Sequence, residues 1–179
     1  MQHIPAKIRT KAKKIKLLLL DVDGVLTDGG IVMNDRGEEI KRFDVRDGHG
    51  IRLLLRAGVQ VGLITGRNSK VVSHRARDLG IRIVYQQAYD KLEAYQEIKR
   101  KSGLSDQAIA YAGDDIVDLP VLRRVGLSIT VKDCWAGLKH EVDYVTAGEG
   151  GRGAVREIVE FLLKAQGKWR DLTRRYYAT

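Results

Sequence analysis

Residues 18–28 read LLLDVDGVLTD, and this stretch decides the fold. It begins inside Ile15–Leu20, an apolar run interrupted only by Lys16. A run of this length and continuity reads as a strand buried on both faces, as in a parallel sheet. The run stops at Asp21-Val22-Asp23-Gly24, so two carboxylates and a glycine leave the end of a buried strand.

Outward from that point the chain alternates. Ile31–Met33 and Glu39–Phe43 flank Asn34-Asp35-Arg36-Gly37, turn chemistry that predicts a β-hairpin. A helix is expected over Gly50–Ala57 and a strand over Val59–Ile64. Ser69–Leu79 reads as a helix closed by Gly80, and Ile81–Tyr85 as a strand. Asp90 caps a helix reaching Ser102 and closed by Gly103. A strand over Ala108–Tyr111, a helix over Ile116–Val125 and a strand over Leu127–Val131 follow. A short helix near Trp135–His140, a short strand at Tyr144-Val145 and a helix over Gly153–Ala165 complete the series. In the last helix Ala154, Val155, Ile158, Val159, Leu162 and Leu163 fall on one stripe. The expected class is α/β, a three-layer Rossmann-like parallel sheet with a protruding hairpin. Residues 1–14 read as a loose basic leader, 15–167 as one domain and 168–179 as a basic tail. A strand and a helix fill most of the interval between Thr65 and Lys91, and the interval from Asp21 to Gly48 holds only the hairpin, which leaves no room for a separate cap domain.

The 179 residues suit a single core, and 44% hydrophobic content excludes a disordered chain. One cysteine, Cys134, excludes a disulfide framework and points to a reducing compartment. No apolar run is long enough to span a bilayer and no cleavable leader is evident, so a soluble cytoplasmic protein is expected, with no membrane partner. Net charge is +9, concentrated at Lys7, Arg9, Lys11, Lys13, Lys14 and Lys16 and again at Lys164, Lys168, Arg170, Arg174 and Arg175. No stacking-aromatic ladder or zinc knuckle accompanies these charges, so a solvated surface or steering of a small anionic substrate is favoured over nucleic acid.

Ligands in doubly wound folds bind beyond the carboxyl ends of the strands, at a topological switch point. The first strand ends at Asp21 and Asp23, the second at Thr65-Gly66-Arg67, the fourth at Gly113-Asp114-Asp115 with Asp118 beyond, and Lys91 opens the helix after the third. Converging carboxylates repel one another unless a hard cation neutralises them, and magnesium (Mg2+) takes such oxygen ligands together with water and phosphate. Asp21 and Asp114 are the obvious ligands, with Lys91 and the Thr65 hydroxyl left to hold phosphate oxygens. Gly24 allows a backbone amide to approach an anion closely. One acid of the first pair attacks phosphorus and the other handles the proton of the leaving alkoxide. Each motif alone is common in ordinary loops; their order, each at a strand end, is what carries the reading.

LLLDVDGVLTD, LITGR at residues 63–67, Lys91 and YAGDDIVD at 111–118 together resemble the haloacid dehalogenase superfamily of phosphatases. The resemblance implies that Asp21 is the nucleophile and Asp23 the acid/base. It implies that Thr65, Gly66 and Lys91 bind phosphate, and that Asp21, the Asp23 carbonyl and Asp114 bind magnesium. Asp115 and Asp118 would orient Lys91 or metal-bound waters. FDVRDG at residues 43–48 and GGRGAVRE at 150–157 extend the likeness to the 3-deoxy-D-manno-octulosonate 8-phosphate phosphatase family of lipopolysaccharide inner-core synthesis. By that resemblance Asp44, Val45, Arg46, Asp47, Gly48, Arg52, Arg67 and Arg75 contact the sugar acid, and the assembly is a homotetramer. Alternatives are an N-acylneuraminate 9-phosphatase or related sugar-acid phosphatase, a non-enzymatic phospho-receiver and a nucleic-acid-binding protein. In a receiver the lysine comes last, whereas Lys91 precedes Gly113-Asp114-Asp115. Arginines beyond those needed for one phosphate suggest a second anion on the substrate, unless they pair with surface acids such as Asp78 or Glu38.

Overall fold

In the computed structural model, which describes residues 4–177, strand β1 (Leu17–Leu20) has all four leucines fully buried. Each such burial contributes about 1.5–3 kcal/mol, which explains why this run forms the sheet's centre. The hairpin strands β2 (Val32–Met33) and β3 (Glu39–Ile40) pair antiparallel, with Val32 opposite Ile40. After them come α2 (Val45–Arg56), β4 (Gln60–Ile64), α3 (Lys70–Leu79), β5 (Ile83–Tyr85) and α4 (Lys91–Ser102). The second half holds β6 (Ile109–Gly113), α5 (Leu119–Leu122), β7 (Leu127–Thr130), β8 (Tyr144–Val145) and α6 (Ala154–Ala165).

Six strands form one parallel sheet in the order β5-β4-β1-β6-β7-β8. The chain winds from β1 through β4 to β5, then returns to the other side of β1 with β6. The order therefore reverses at β1, and Asp21 stands at the switch point. Helices α2, α3 and α6 cover one face and α4 and α5 the other, giving the expected three layers. The expected stripe of α6 is fully buried from Ala154 to Leu163. The cap signals also hold: Asp90 accepts from Leu92 and Glu93 N–H groups, and Gly80 and Gly103 are left-handed; Ser69, read as the first helical residue, is instead the N-cap of α3 and accepts from Val72 N–H. No helix among the described residues is long and apolar enough to cross a membrane.

Three sequence expectations are corrected. The leader is not loose: Ala6–Lys13 forms helix α1, which packs on α6 with Ala12 fully buried. Lys11 pairs with Asp143 at 2.5 Å, and the Gln166 amide donates to the Ala12 and Ile15 carbonyls at 3.2 and 2.9 Å. Helix α2 starts at Val45, not Gly50, with Asp44 as its N-cap. The segment after Asp115 is a 3-10 turn over Ile116–Asp118 followed by the short α5, not one continuous helix. Toward the C-terminus, Trp169–Thr173 forms α7, and the cationic groups of Arg156 and Lys164 stand 5.3 and 5.2 Å from the Trp169 ring. Residues 178 and 179 of the expected tail lie outside the described residues.

Candidate active site

Asp21 leaves β1 with its N–H bonded to the Ala112 carbonyl at 2.9 Å, so the sheet itself aims its side chain past the strand end. Its carboxylate accepts the Val22 N–H at 2.7 Å. Lys91, the first residue of α4, is buried and reaches across the sheet edge. Its ammonium lies 2.8 Å from Asp21 Oδ2 and 2.7 Å from Asp118 Oδ1. Asp118 is fully buried; it also accepts the Tyr111 hydroxyl at 2.5 Å and the Asp114 and Asp115 N–H groups at 2.9 and 3.1 Å. Asp118 thus fixes both Lys91 and the loop that carries Asp114.

Carboxylate oxygens of Asp21, Asp114 and Asp118 all lie within 4.8 Å of one another. Burial raises the Asp21 pKa against the pull of Lys91, with the Asp118 charge adding to the rise. Burial and then the Asp21 and Asp118 charges raise Asp114 as well. Burial opposes the charged Lys91 amine, but Asp21 and Asp118 outweigh it and hold its pKa above the usual value. One ammonium cannot neutralise three acids, and the site is deficient in positive charge by the amount a divalent cation supplies. Oxygen donors at this spacing suit a hard ion such as magnesium.

Two glycines make the cluster possible. Gly24 has φ +88°, and a Cβ there would lie 2.0 Å from Asp114 Oδ2. A Cβ on Gly150 would lie 1.8 Å from the Gly24 carbonyl oxygen, so the loop before α6 buttresses the loop of Asp21 and Asp23. On the other flank, buried Thr65 follows β4. Its hydroxyl accepts the Arg67 N–H at 3.4 Å, and its own proton has no acceptor among the described residues. The Thr65–Arg67 turn is clamped to the loop before Lys91: Ala88 N–H donates to the Thr65 carbonyl at 3.0 Å and Gln87 N–H to the Arg67 carbonyl at 3.3 Å. Gln87 is the non-glycine residue with a left-handed φ, +56°, among the described residues, a strained conformation set at the approach to Lys91.

Asp23 sits beside this cluster, paired with the Lys41 ammonium and 3.8 Å from Arg67 Nε. That Nε is the one buried side-chain polar atom without a hydrogen-bond partner among the described residues. Arg67 also donates to Glu39 Oε1 at 3.0 Å.

The other expected sugar contacts are differently engaged. Arg52 donates to Asp78 Oδ1 at 3.0 Å and Arg75 to Asp78 Oδ2 at 2.9 Å, the surface pairing weighed as their alternative. Asp44 caps α2 and pairs with Arg46 at 2.7 Å, while Arg46 also donates to the Arg152 carbonyl. Asp47 is buried and accepts the Gly153 and Arg156 N–H groups at 3.3 and 2.7 Å, closing the N-terminus of α6. Burial pushes its pKa up to about 6, against the pull of the Arg156 amide. Val45 is 80% exposed, and Gly48 packs under Arg75, where a Cβ would meet Nη2 at 2.3 Å. Asp115 is exposed and caps the 3-10 turn by accepting the Ile116 N–H at 2.7 Å, so its side chain is not spent on Lys91. Sequence reasoning missed Glu39, Lys41 and Tyr111; the only signal was a charged pair alternating with Ile40 in a hairpin strand.

This geometry can be set beside known proteins. The profile of haloacid dehalogenase-like hydrolases matches residues 81–158. The 3-deoxy-D-manno-octulosonate 8-phosphate phosphatase of Salmonella typhimurium is 50% identical over 161 residues, covering 90% of this chain and 86% of that protein. The structure of the enzyme of that name from Yersinia pestis superposes with a TM-score of 0.90 at 46% identity, over 91% of this chain and 88% of that one. That of Moraxella catarrhalis, in complex with magnesium, phosphate and a KDO molecule, gives 0.93 at 41% identity, over 95% and 98%. At 41–50% identity over nine-tenths or more of its length to these proteins, and with the same sheet, the chain belongs to the haloacid dehalogenase superfamily of hydrolases, in the family of the 3-deoxy-D-manno-octulosonate 8-phosphate phosphatases.

Proposed function

We propose that this protein is a magnesium-dependent phosphomonoesterase that hydrolyses 3-deoxy-D-manno-octulosonate 8-phosphate to the free sugar acid and phosphate. The observation that carries the reading is the cluster of Asp21, Asp114 and Asp118 oxygens within 4.8 Å, with Lys91 bridging Asp21 and Asp118, at the switch point of the sheet. Asp21, Asp114 and the Asp23 carbonyl would hold the ion, which supplies neutralisation of carboxylate and phosphate charge. Asp21 attacks phosphorus, an aspartyl-phosphate forms and the ester P–O bond breaks. The Asp23 proton passes to the departing sugar oxygen; Asp23 then takes a proton from the water that attacks the acyl phosphate, releasing phosphate and restoring Asp21. Lys91 and Thr65 hold phosphate oxygens, with Gly66 giving them access. Asp118 orients Lys91.

The substrate class rests on Arg67. Its side chain is 40% exposed beside Asp23, so the guanidinium can fork onto a substrate carboxylate arriving at the site. The Asp44–Gly48 segment, with Arg52 and Arg75, acts on the sugar indirectly, by fixing α2 against α3 and α6. The hairpin exposes Ile31, Val32, Met33 and Ile40, each more than half exposed, a face suited to pairing with other copies. We place the enzyme in the cytoplasm as a homotetramer joined through this face.

The test compares the sugar acid phosphate with an analogue lacking its carboxylate. The proposal expects a kcat/KM ratio of at least about tenfold, abolished in Arg67→Ala. Equal cleavage of both compounds overturns the substrate assignment, and phosphate release that persists in EDTA overturns the metal dependence.

A further inference from the structure

Strand β3 has two chemically different faces. Ile40 is 56% exposed and pairs with Val32 on the outer side of the hairpin. Glu39 and the following Lys41 alternate with it and turn toward the site, with side-chain exposures of 15% and 1%. The Lys41 ammonium is held between the Asp23 carboxylate and Glu39 Oε1, the latter at 3.0 Å. Glu39 in turn accepts from Arg67 Nη2 at 3.0 Å and from the Ser69 hydroxyl at 2.5 Å. Ser69 is the N-cap of α3, so the chain of contacts runs from the hairpin to Asp23, to the Thr65–Arg67 turn and on to a rigid helix end.

The cluster is half-buried around a Lys41 side chain that is itself buried, so desolvation offsets much of the Coulomb gain and apolar packing would stabilise the hairpin base as well. Its value lies in fixing a direction. Asp23 has two oxygens; one is engaged by Lys41, and the other, Oδ2, is left 3.8 Å from the partnerless Arg67 Nε. A carboxyl held at one oxygen presents the other in a defined orientation, which is what proton delivery to a leaving group requires.

We propose that Lys41 is a positioning residue for the acid/base step: it locks the Asp23 carboxyl toward the leaving oxygen, and Glu39 ties that lock to Arg67 and Ser69. The inference rests on the reading of Asp23 as acid/base. It makes the hairpin part of the catalytic apparatus as well as an exposed apolar face.

The experiment measures kcat and KM of Lys41→Met, Asp23→Asn and the double variant on the sugar phosphate and on p-nitrophenyl phosphate, whose leaving group needs no proton. Lys41→Met is expected to lower kcat on the sugar phosphate by about 30- to 100-fold, with KM changed less than about threefold and p-nitrophenyl phosphate turnover reduced less than about fivefold. Adding it to Asp23→Asn should cost nothing further. Lys41→Arg should recover most of the lost kcat, and Glu39→Gln, which leaves the ammonium in place, should show a weaker version of the same split. Equal losses on both substrates, a loss confined to KM, or full additivity with Asp23→Asn overturns the positioning role. If Asp23→Asn itself shows no split between the substrates, the acid/base reading fails first, and that outcome is distinct from additivity in the double variant. If Lys41→Met does not fold, Glu39→Gln and Lys41→Arg decide the matter on the same criteria.

Discussion

Substituting Gly24 by alanine separates the geometry of the metal-side acids from the stability of the loop. The new Cβ would stand 2.0 Å from Asp114 Oδ2 and 2.4 Å from its Cγ, where ordinary contact begins at 3.4 Å. The Asp114 carboxylate must then retreat by about 1.4 Å. Displacements of about 1 Å in a catalytic constellation cost on the order of a hundredfold, so kcat should fall by about 10² or more and magnesium affinity should weaken with it. The backbone cost is separate: alanine at φ +88° loses about 1–2 kcal/mol. Gly58 provides the matched control, with φ +79° and nothing within 4 Å of its would-be Cβ. Gly58→Ala should lose the same stability in urea unfolding while keeping wild-type kcat. The assay is steady-state phosphate release with a magnesium titration, alongside urea midpoints for both variants. Gly24→Ala with activity within about threefold of wild type and unchanged magnesium dependence would refute the placement of Asp114 against the Asp21 loop.

Two further predictions follow from charge and from exposed surface. Because burial raises the Asp21 and Asp114 pKa values, the folded apoprotein binds these protons more tightly than the unfolded chain; its stability therefore falls as pH rises from about 4 toward 8, and the stabilisation by added magnesium grows over the same range, which thermal melts with and without the ion will read. A melting temperature that rises with pH in EDTA over that window would contradict the charge deficit. Replacing Met33 and Ile40 together by lysine should convert the proposed tetramer to smaller species in light scattering while leaving the six-stranded sheet folded; an unchanged mass would remove the hairpin from the proposed interface.

Much of the fold was legible because its signals are local. The four leucines of β1, the stripe of α6 and the Asp90, Gly80 and Gly103 caps each act within a few residues, and each is where the sequence places it. The start of α2 was not legible, because Arg46-Asp47-Gly48-His49-Gly50 reads as a loop on propensity. Tertiary packing overrides it: Gly48 and Gly50 lie against Arg75 and Arg156, where a Cβ would meet side-chain atoms at 2.3 and 3.2 Å, and Asp47 is tied to the start of α6. Helix α1 was hidden by its lysines, although Ile8, Ala12 and Ile15 already fall at helical spacing. The convergence of Asp21, Asp114, Asp118 and Lys91 on one sheet edge was legible because each follows a strand or opens a helix. For Arg52 and Arg75 the sequence left open a sugar contact or a surface pairing with acids such as Asp78, because only the packing of α2 on α3 brings both arginines to Asp78. Lys41 reaches Asp23 across the hairpin, a contact between residues 18 apart that no local pattern encodes.

The covalent role of Asp21 is tested by capture of the intermediate. Enzyme mixed with the sugar acid phosphate and magnesium, quenched within one turnover and reduced with borohydride, converts an aspartyl-phosphate to homoserine, which peptide mass spectrometry locates. The account predicts the mass change at residue 21 alone, dependent on substrate and absent in EDTA. Modification at Asp23 or Asp114 instead, or a fully active enzyme that yields no modified residue at any point in the turnover, would contradict it.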